Sequence, residues 1–190
     1  MRGGAIYALI LHIFSKSLLI AQRFFVRTGR VILRILGLDP GSLKTGFGLL
    51  DVSGQAFGYV TSGIIRIASS KTLPERLAVI AEGVAELIDT YQPDICAIED
   101  VFFASNPKSA LKLGQARGAA ITTAVTHNIS VSEYAPRLVK QAVAGTGAAT
   151  KEQVAYMVKT ILKINGELKE DAADALAVAI CHAHLSGTKS

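Results

Sequence analysis

The chain has 190 residues, of which half are apolar and 18% are charged. This composition excludes an intrinsically disordered chain, and its two cysteines exclude a scaffold held together by disulfides. The formal net charge of +5 would suggest a nucleic-acid partner, but the excess lies in residues 1–30, which contain five Lys or Arg and no Asp or Glu.

Charge is also segregated within the rest of the chain. Residues 31–104 contain nine acidic and five basic side chains, whereas residues 105–165 contain eight basic and two acidic ones. An acidic region and a basic region in one domain are expected of a metal site beside a surface that binds a polyanion. Ordinary mixing of charge on a solvated surface would give similar counts, so charge alone leaves both interpretations open.

Residues 1–30 form an apolar and basic leader. Read as a helix, the leader has one apolar and one basic face, which is compatible with a membrane-surface helix or a transit peptide. Its longest uncharged run, Gly3–Ser15, is too short to cross a bilayer. We expect instead that the leader is translated upstream sequence outside the fold, because a regular strand pattern begins only near Val31.

Hydrophobic periodicity divides residues 31–186 into strands and helices, followed by a short tail at 187–190. The predicted strands cover residues 31–38, 45–52, 56–67, 95–98 and 131–134. The predicted helices cover residues 73–91, 109–126, 136–144, 151–163 and 170–185. Ser53-Gly54 is typical of a hairpin turn. An early hairpin followed by strand–helix crossovers predicts a single α/β domain, with a five-stranded mixed sheet and helices on both faces.

Four acidic residues fall where such a sheet would bring them together. Asp39 and Glu99 end two strands, and Asp171 and Asp174 lie three residues apart on the last helix, where they share a face. Only divalent cations make such a cluster tolerable, and Mg²⁺ prefers hard oxygen ligands. A pair of these ions can activate a water and stabilise the leaving oxygen of a phosphodiester. Taken singly, each acid is more simply a turn residue or a complement to a helix dipole, so the joint pattern carries the hypothesis.

The first strand and its turn have the sequence LGLDPGSLKTGFGLL, in which Gly37 and Gly46 leave room for close approach beside Asp39. This segment resembles the opening of the ribonuclease-H-like superfamily, in which the Asp binds metal. The superfamily includes nucleases, actin and sugar-kinase ATPases.

Three later segments resemble the RuvC family of bacterial Holliday-junction resolvases. They are AIEDVFFASNPKSALKLGQARGAA at 97–120, EYAPRLVKQAVAGTGAATKEQVAYMV at 133–158 and DAADALAVAICH at 171–182. The resemblance extends from Ile32 to His184, with all motifs in order.

This resemblance implies a ribonuclease-H-like nuclease domain over residues 31–186. Its implied activity is that of a crossover junction endodeoxyribonuclease, which resolves four-way DNA junctions by paired symmetric nicks in DNA recombination and repair. Asp39, Glu99, Asp171 and Asp174 would be the catalytic, metal-binding acids, holding two Mg²⁺ ions that Mn²⁺ can replace. The family acts as a homodimer beside the RuvA and RuvB branch-migration proteins, so we expect a cytoplasmic location and no membrane partner.

The resemblance also suggests residues that contact DNA. Phe102 matches an aromatic that inserts at the junction, and Lys140 and Lys151 match basic residues needed for cleavage. Further candidates for phosphate contacts lie in the same basic stretch: Lys108, Lys112, Arg117 and Arg137. Asp100 is a departure, because the family often has an uncharged polar residue there.

Small residues recur every four positions at Ala110, Gly114 and Gly118, along one face of a predicted helix. They permit close approach either to the sheet or to a partner helix, and the resemblance favours the dimer interface.

Three other functions stay open at this point. The first is a nuclease of the same superfamily that processes ribosomal RNA, and the second is a junction-binding protein without catalysis. The third is an actin-type ATPase, which would need further nucleotide-binding loops.

Overall fold

The computed structural model describes residues 32–100 and 107–187. The strands in these ranges are β1 (Leu33–Pro40), β2 (Lys44–Ser53), β3 (Ala56–Arg66), β4 (Ile95–Glu99) and β5 (Ser130–Tyr134). The helices are α1 (Leu73–Tyr91), α2 (Pro107–Thr126), α3 (Pro136–Ala144), α4 (Lys151–Leu162) and α5 (Glu170–Ser186). Every predicted element is present, with bounds that differ by one or two residues. The leader, Phe102 and most of the tail lie outside the described residues.

The strands form one sheet in the order β3-β2-β1-β4-β5. The central strand β1 pairs antiparallel with β2 and parallel with β4, and β4 pairs parallel with β5. The predicted hairpin joins β2 to β3 through Gly54, whose φ of 61° is easily adopted by glycine. The mixed five-stranded sheet is therefore confirmed.

Side chains alternate across β1 and so supply two cores. Leu36 and Leu38 pack with residues of α1 and α2, while Ile35 packs on the opposite face with residues of α3, α4 and α5. Helices therefore cover both faces of the sheet, and the predicted three-layer arrangement is confirmed.

Helix α5 lies unusually close to β1 and β2, because glycines face it. A Cβ atom added at Gly37 would lie 2.1 Å from the carbonyl oxygen of Ala175, and one at Gly46 would lie 2.0 Å from that of Asp171. No side chain fits at these distances, so only glycine permits this contact between backbones. The first turn of α5 therefore lies directly over the strand that neighbours Asp39.

Two further observations concern the cysteines and the apolar character of the helices. Cys96 and Cys181 are both buried and free. Among the described helices, none has the length and apolar character needed to cross a membrane.

Candidate active site

The ends of β1 and β4 present two carboxylates on the same side of the sheet. In β1, Gly37 faces α5, so Asp39 two residues later faces the same way. In β4, Ala97 packs in the core under α5, and Glu99 follows it by two. The pairing of the two strands ends at Leu38 with Ile98, so Asp39 and Glu99 are the next residues along. Adjacent strands lie about 4.8 Å apart, which makes these carboxylates neighbours.

The first turn of α5 adds two more carboxylates to this edge. Gly46 pairs with Asp39 across the β1–β2 ladder, and the backbone of Asp171 lies against Gly46. Asp174 follows one helical turn later on the same face. Four acids from three distant parts of the chain therefore meet at one end of the sheet, where sequence analysis placed them.

Burial and repulsion between carboxylates raise the pKa values of three of these acids. Burial, followed by the charges of Asp174 and Asp171, raises the pKa of Asp39 to about 6. Burial, followed by the charges of Asp39 and Asp174, raises the pKa of Glu99 to about 7. The pKa of Asp174 is also raised, chiefly by burial and against the opposing effect of Lys151. Besides burial, the shifts of Asp39, Glu99 and Asp174 each include repulsion from at least one other carboxylate of the site.

Two lysines border the acidic edge. The Nζ atom of Lys151 lies 2.5 Å from Glu170 Oε1 and 3.5 Å from Asp174 Oδ2. On the other side, Lys44 Nζ lies 3.6 Å from Asp171 Oδ2. Lys151 is the first residue of α4, whose start is held by a capping box between Thr150 and Gln153. The two ammonium groups lie at the edge of the site and partly offset the negative charge of the acids.

The donor set suits a hard divalent cation, although its side chains are not gathered around one point. Among residues 32–100 and 107–187, no group of three or more His, Cys, Asp or Glu is arranged to hold a metal ion. Lys44 and Lys151 instead form ion pairs with Asp171 and Asp174. Carboxylate oxygens are the ligands that Mg²⁺ prefers, and the pKa values of the carboxylates Asp39 and Glu99 are raised first by burial and then by neighbouring carboxylates. The acids therefore fit the ion in chemistry and in backbone placement.

Comparison with known proteins places this chain in a family. A sequence model of the family described as "Crossover junction endodeoxyribonuclease RuvC" matches residues 35–182. The chain belongs to the RuvC family. It is 58% identical over 149 residues to the RuvC of Saccharophagus degradans, covering 78% of this chain and 86% of that protein. It is 56% identical over 154 residues to the RuvC of Vibrio vulnificus, covering 81% of this chain and 88% of that protein.

A solved structure supports the same assignment. The structure described as T. thermophilus RuvC in complex with Holliday junction substrate is 32% identical, with a TM-score of 0.77. The match covers 82% of this chain and 96% of that one. Membership of the RuvC family confirms the ribonuclease-H-like fold and leaves the RNA-processing and ATPase alternatives without support.

The basic residues expected to contact DNA lie in three different settings. Lys108 and Lys112 are exposed on the first half of α2, and Arg137 is exposed at the start of α3. Lys140 on α3 is close enough to the acids to oppose the rise in the pKa of Glu99. Lys151 lies at the acidic edge itself. Phe102 lies outside the described residues, so its role stays a prediction.

Arg117 differs from the other basic candidates. Its side chain is only 17% exposed, and its Nη2 atom pairs with Asp100 Oδ1 at 3.2 Å and with Glu133. Its Nε atom also donates a hydrogen bond to the carbonyl oxygen of Glu99, at 3.2 Å. A guanidinium bound in this way is not set up as a free phosphate contact.

Gly114 and Gly118 of α2 lie on a face turned away from the sheet. Ala116 and Ala120 of α2 are fully buried, whereas Gly114 and Gly118 are exposed on another face. A Cβ atom added at either glycine would have no neighbour within 4 Å in the part of the chain that the structure describes. Close approach to the sheet therefore does not explain these two glycines.

Sequence analysis did not single out Lys44 and Glu170, which the structure places at the site. Lys44 follows Asp39 by five residues, and Glu170 directly precedes Asp171. The signal in the sequence was that each of these two residues lies near a candidate acid. The ion pairs that Lys44 and Glu170 form, however, join residues far apart in sequence.

Proposed function

We propose that this member of the RuvC family resolves four-way DNA junctions as a Mg²⁺-dependent endodeoxyribonuclease in DNA recombination and repair. The observation that carries the proposal is the convergence of four acids from β1, β4 and α5 at one end of the sheet. The relative from T. thermophilus, whose structure contains a Holliday junction substrate, supports DNA junctions as the substrate class.

The proposed catalytic and metal-binding residues are Asp39, Glu99, Asp171 and Asp174. They would hold two Mg²⁺ ions, for which Mn²⁺ can substitute. When bound, such ions supply an activated water and neutralise charge on the leaving oxygen. Burial supports this role, because a water-excluding site strengthens the attraction between each carboxylate and a cation. A bound cation would lower the pKa values of Asp39 and Glu99, which burial and the neighbouring carboxylates raise.

Lys151 and Lys140 are proposed to hold the phosphate that is cut. Lys151 already lies between Glu170 and Asp174, so a phosphate that approaches the acids would meet its ammonium group. Lys140 acts on the charge of Glu99 from α3. Both amines would offset the repulsion between the DNA backbone and the acidic edge.

A wider DNA track is proposed along α2 and the start of α3. Lys108, Lys112 and Arg137 are exposed there, as phosphate contacts require. Phe102 is proposed to stack on an unpaired base at the junction, an interaction worth about 1–3 kcal/mol per base.

The protein is proposed to act as a homodimer through Ala110, Gly114 and Gly118 of α2. The exposed glycines permit a second helix to approach closely, and Leu111 beside them is 67% exposed. Two nicks related by a two-fold axis also require two active sites. RuvA and RuvB as partners and the cytoplasm as location are proposed on family resemblance alone.

The test uses the full chain with a synthetic four-way junction, a linear duplex of the same sequence and an RNA hairpin. Each substrate is incubated with Mg²⁺ or with EDTA, and products are resolved at nucleotide level. We expect paired nicks in the junction with Mg²⁺ only, and junction binding that weakens steeply with salt. Cleavage of the RNA hairpin alone would indicate RNA processing, and binding without cleavage in Mg²⁺ would indicate a non-catalytic protein. Either result would contradict the proposal.

A further inference from the structure

Arg117 joins three elements around the end of β4. From α2 it reaches Asp100 directly after β4, Glu133 of β5 and the carbonyl oxygen of Glu99. The same region is held by a backbone hydrogen bond in which the Asp100 N–H donates to the carbonyl of Tyr134, at 2.8 Å. The peptide that follows Glu99 is therefore held from β5 and from α2 together.

These contacts influence the direction in which the side chain of Glu99, a proposed catalytic residue, points. The Glu99 carboxylate faces α5, while its own carbonyl oxygen accepts a hydrogen bond from Arg117. Displacement of the peptide after Glu99 would shift the Glu99 Cα atom and move the carboxylate relative to Asp39. Misplacement of a reacting group by about 1 Å costs about a hundred-fold in rate.

The chemistry of the contacts requires arginine. A guanidinium presents several N–H donors in one plane, so Nη2 can serve two carboxylates while Nε serves a carbonyl. An ammonium group at the end of a flexible stem can satisfy a carboxylate, but it cannot reproduce this fixed fork. Asp100, which departs from the family pattern, is thereby paired with a positive charge.

A direct role in DNA binding fits these observations less well. To reach a phosphate, the 17% exposed side chain would have to leave Asp100 and Glu133. Both carboxylates would then stay behind without their partner, next to an incoming polyanion. Lys112, five residues earlier on the same helix and exposed, has the setting expected of a phosphate contact.

We propose that Arg117 is a positioning residue that acts through Asp100 and the Glu99 backbone to orient the Glu99 carboxylate. The inference rests on the proposed nuclease function, and it replaces the phosphate contact that resemblance suggested for Arg117.

The first test compares Arg117→Gln with Lys112→Gln in junction binding and in single-turnover cleavage at saturating junction. We expect Arg117→Gln to keep the junction Kd and its salt slope, while the cleavage rate falls about 10- to 100-fold, as for other residues that orient metal ligands. Lys112→Gln should instead weaken binding and reduce the salt slope by about one phosphate contact. A reduced salt slope with an unchanged saturating rate in Arg117→Gln would overturn the proposal.

A second set of variants separates positioning from general stability. Arg117→Lys should recover stability more fully than cleavage, because it restores charge without the fork. Asp100→Asn, a change at a 47% exposed side chain, should lower the cleavage rate in the same direction. The double variant Arg117→Gln/Asp100→Asn should then cleave no more slowly than Arg117→Gln alone, because both act in one unit. Fully additive losses would contradict action through Asp100.

A third readout does not depend on cleavage. Mg²⁺ should raise the Tm of the wild-type protein, because it binds the folded state, and it should raise the Tm of Arg117→Gln less. An equal rise in both proteins, with a lower Tm throughout for the variant, would show a purely structural residue. If the wild-type chain cut no junction at all, the proposed function would fail, whereas the metal-dependent Tm shift would still test the positioning role.

Discussion

The two ends of β1 differ in which charges lie side by side. Near its start, Arg34 donates two hydrogen bonds to Asp51 on the neighbouring strand, at 2.8 and 2.9 Å, and a third to the carbonyl of Tyr91 at 2.9 Å. The Arg34 N–H also donates to Asp94 at 2.7 Å. Opposite charges meet there in bidentate geometry, which raises the pKa of Arg34 above its ordinary value, with its hydrogen bond to Asp51 as the largest cause.

Near the end of β1, like charges meet. The pKa values of Asp39 and Glu99 rise to about 6 and about 7, while the nearby amines of Lys44 and Lys151 lie on side chains that are 55% and 60% exposed. Opposite charges are thus paired at one end of the strand, whereas at the other end burial and neighbouring carboxylates raise the pKa values. This fold therefore concentrates like charges where its proposed chemistry occurs, whereas opposite charges are paired at the other end of β1.

The largest effect is expected from the unbalanced end. Asp39→Asn should reduce junction cleavage in Mg²⁺ by at least about a hundred-fold, beyond the 10–100-fold typical of residues that only orient ligands. Junction binding should change little, because the proposed phosphate contacts are Lys and Arg side chains that this substitution leaves in place. Asp51→Asn, at the balanced end, is the matched control and should leave cleavage near the wild-type rate. Full cleavage by Asp39→Asn would remove this residue from the mechanism.

The next effect concerns the contact that brings the acids together. Gly46→Ala places a Cβ atom 2.0 Å from the carbonyl oxygen of Asp171, so α5 must move. We expect a loss of about 3 kcal/mol in unfolding free energy, at the upper end for overpacking, together with loss of cleavage. In Gly58→Ala the nearest atom is 3.8 Å away, so urea unfolding of this control should show a much smaller change. Equal stability of the two variants would contradict the close contact.

A smaller effect is expected from breaking the balanced end. Arg34→Met leaves the Asp51 carboxylate, 26% exposed, without its bidentate partner. Urea unfolding should show a loss of about 1–3 kcal/mol, the range for a partly buried polar group that loses its partner. Cleavage measured well below the unfolding transition should be unchanged. A strong loss of cleavage in the folded variant would mean that the two ends of β1 are coupled.

The smallest effect is the pH dependence of the metal-free protein. Because the pKa of folded Asp39 is about 6, above its ordinary range, the folded chain keeps a proton that the unfolded chain releases. Stability in EDTA should therefore fall as the pH rises through the window from about 4 to 6, and Glu99 should extend this fall to about 7. Asp39→Asn should flatten the lower part of the profile and be more stable than wild type by about 1–3 kcal/mol at neutral pH. An unchanged profile would contradict the repulsion.

Elements of the fold could be predicted because their causes are local. The alternation in β1, the hairpin at Gly54 and the apolar spacing of α1 depend on residues only a few positions apart. The positions of the four acids also follow from local sequence, since two lie at the ends of strands and two near the start of a helix. Their joint role was implied by the family resemblance.

The contacts of individual side chains depended on tertiary structure. Arg117 falls in the basic stretch of the sequence, yet its partners Asp100 and Glu133 lie 17 residues before it and 16 after it. Lys44 pairs with Asp171 across more than half the chain. Periodicity identified a helix at α2, but only its packing showed that Gly114 and Gly118 face away from the sheet. Local sequence therefore specifies which elements form and which acids end them, whereas the rotation and close packing of those elements decide which charges meet.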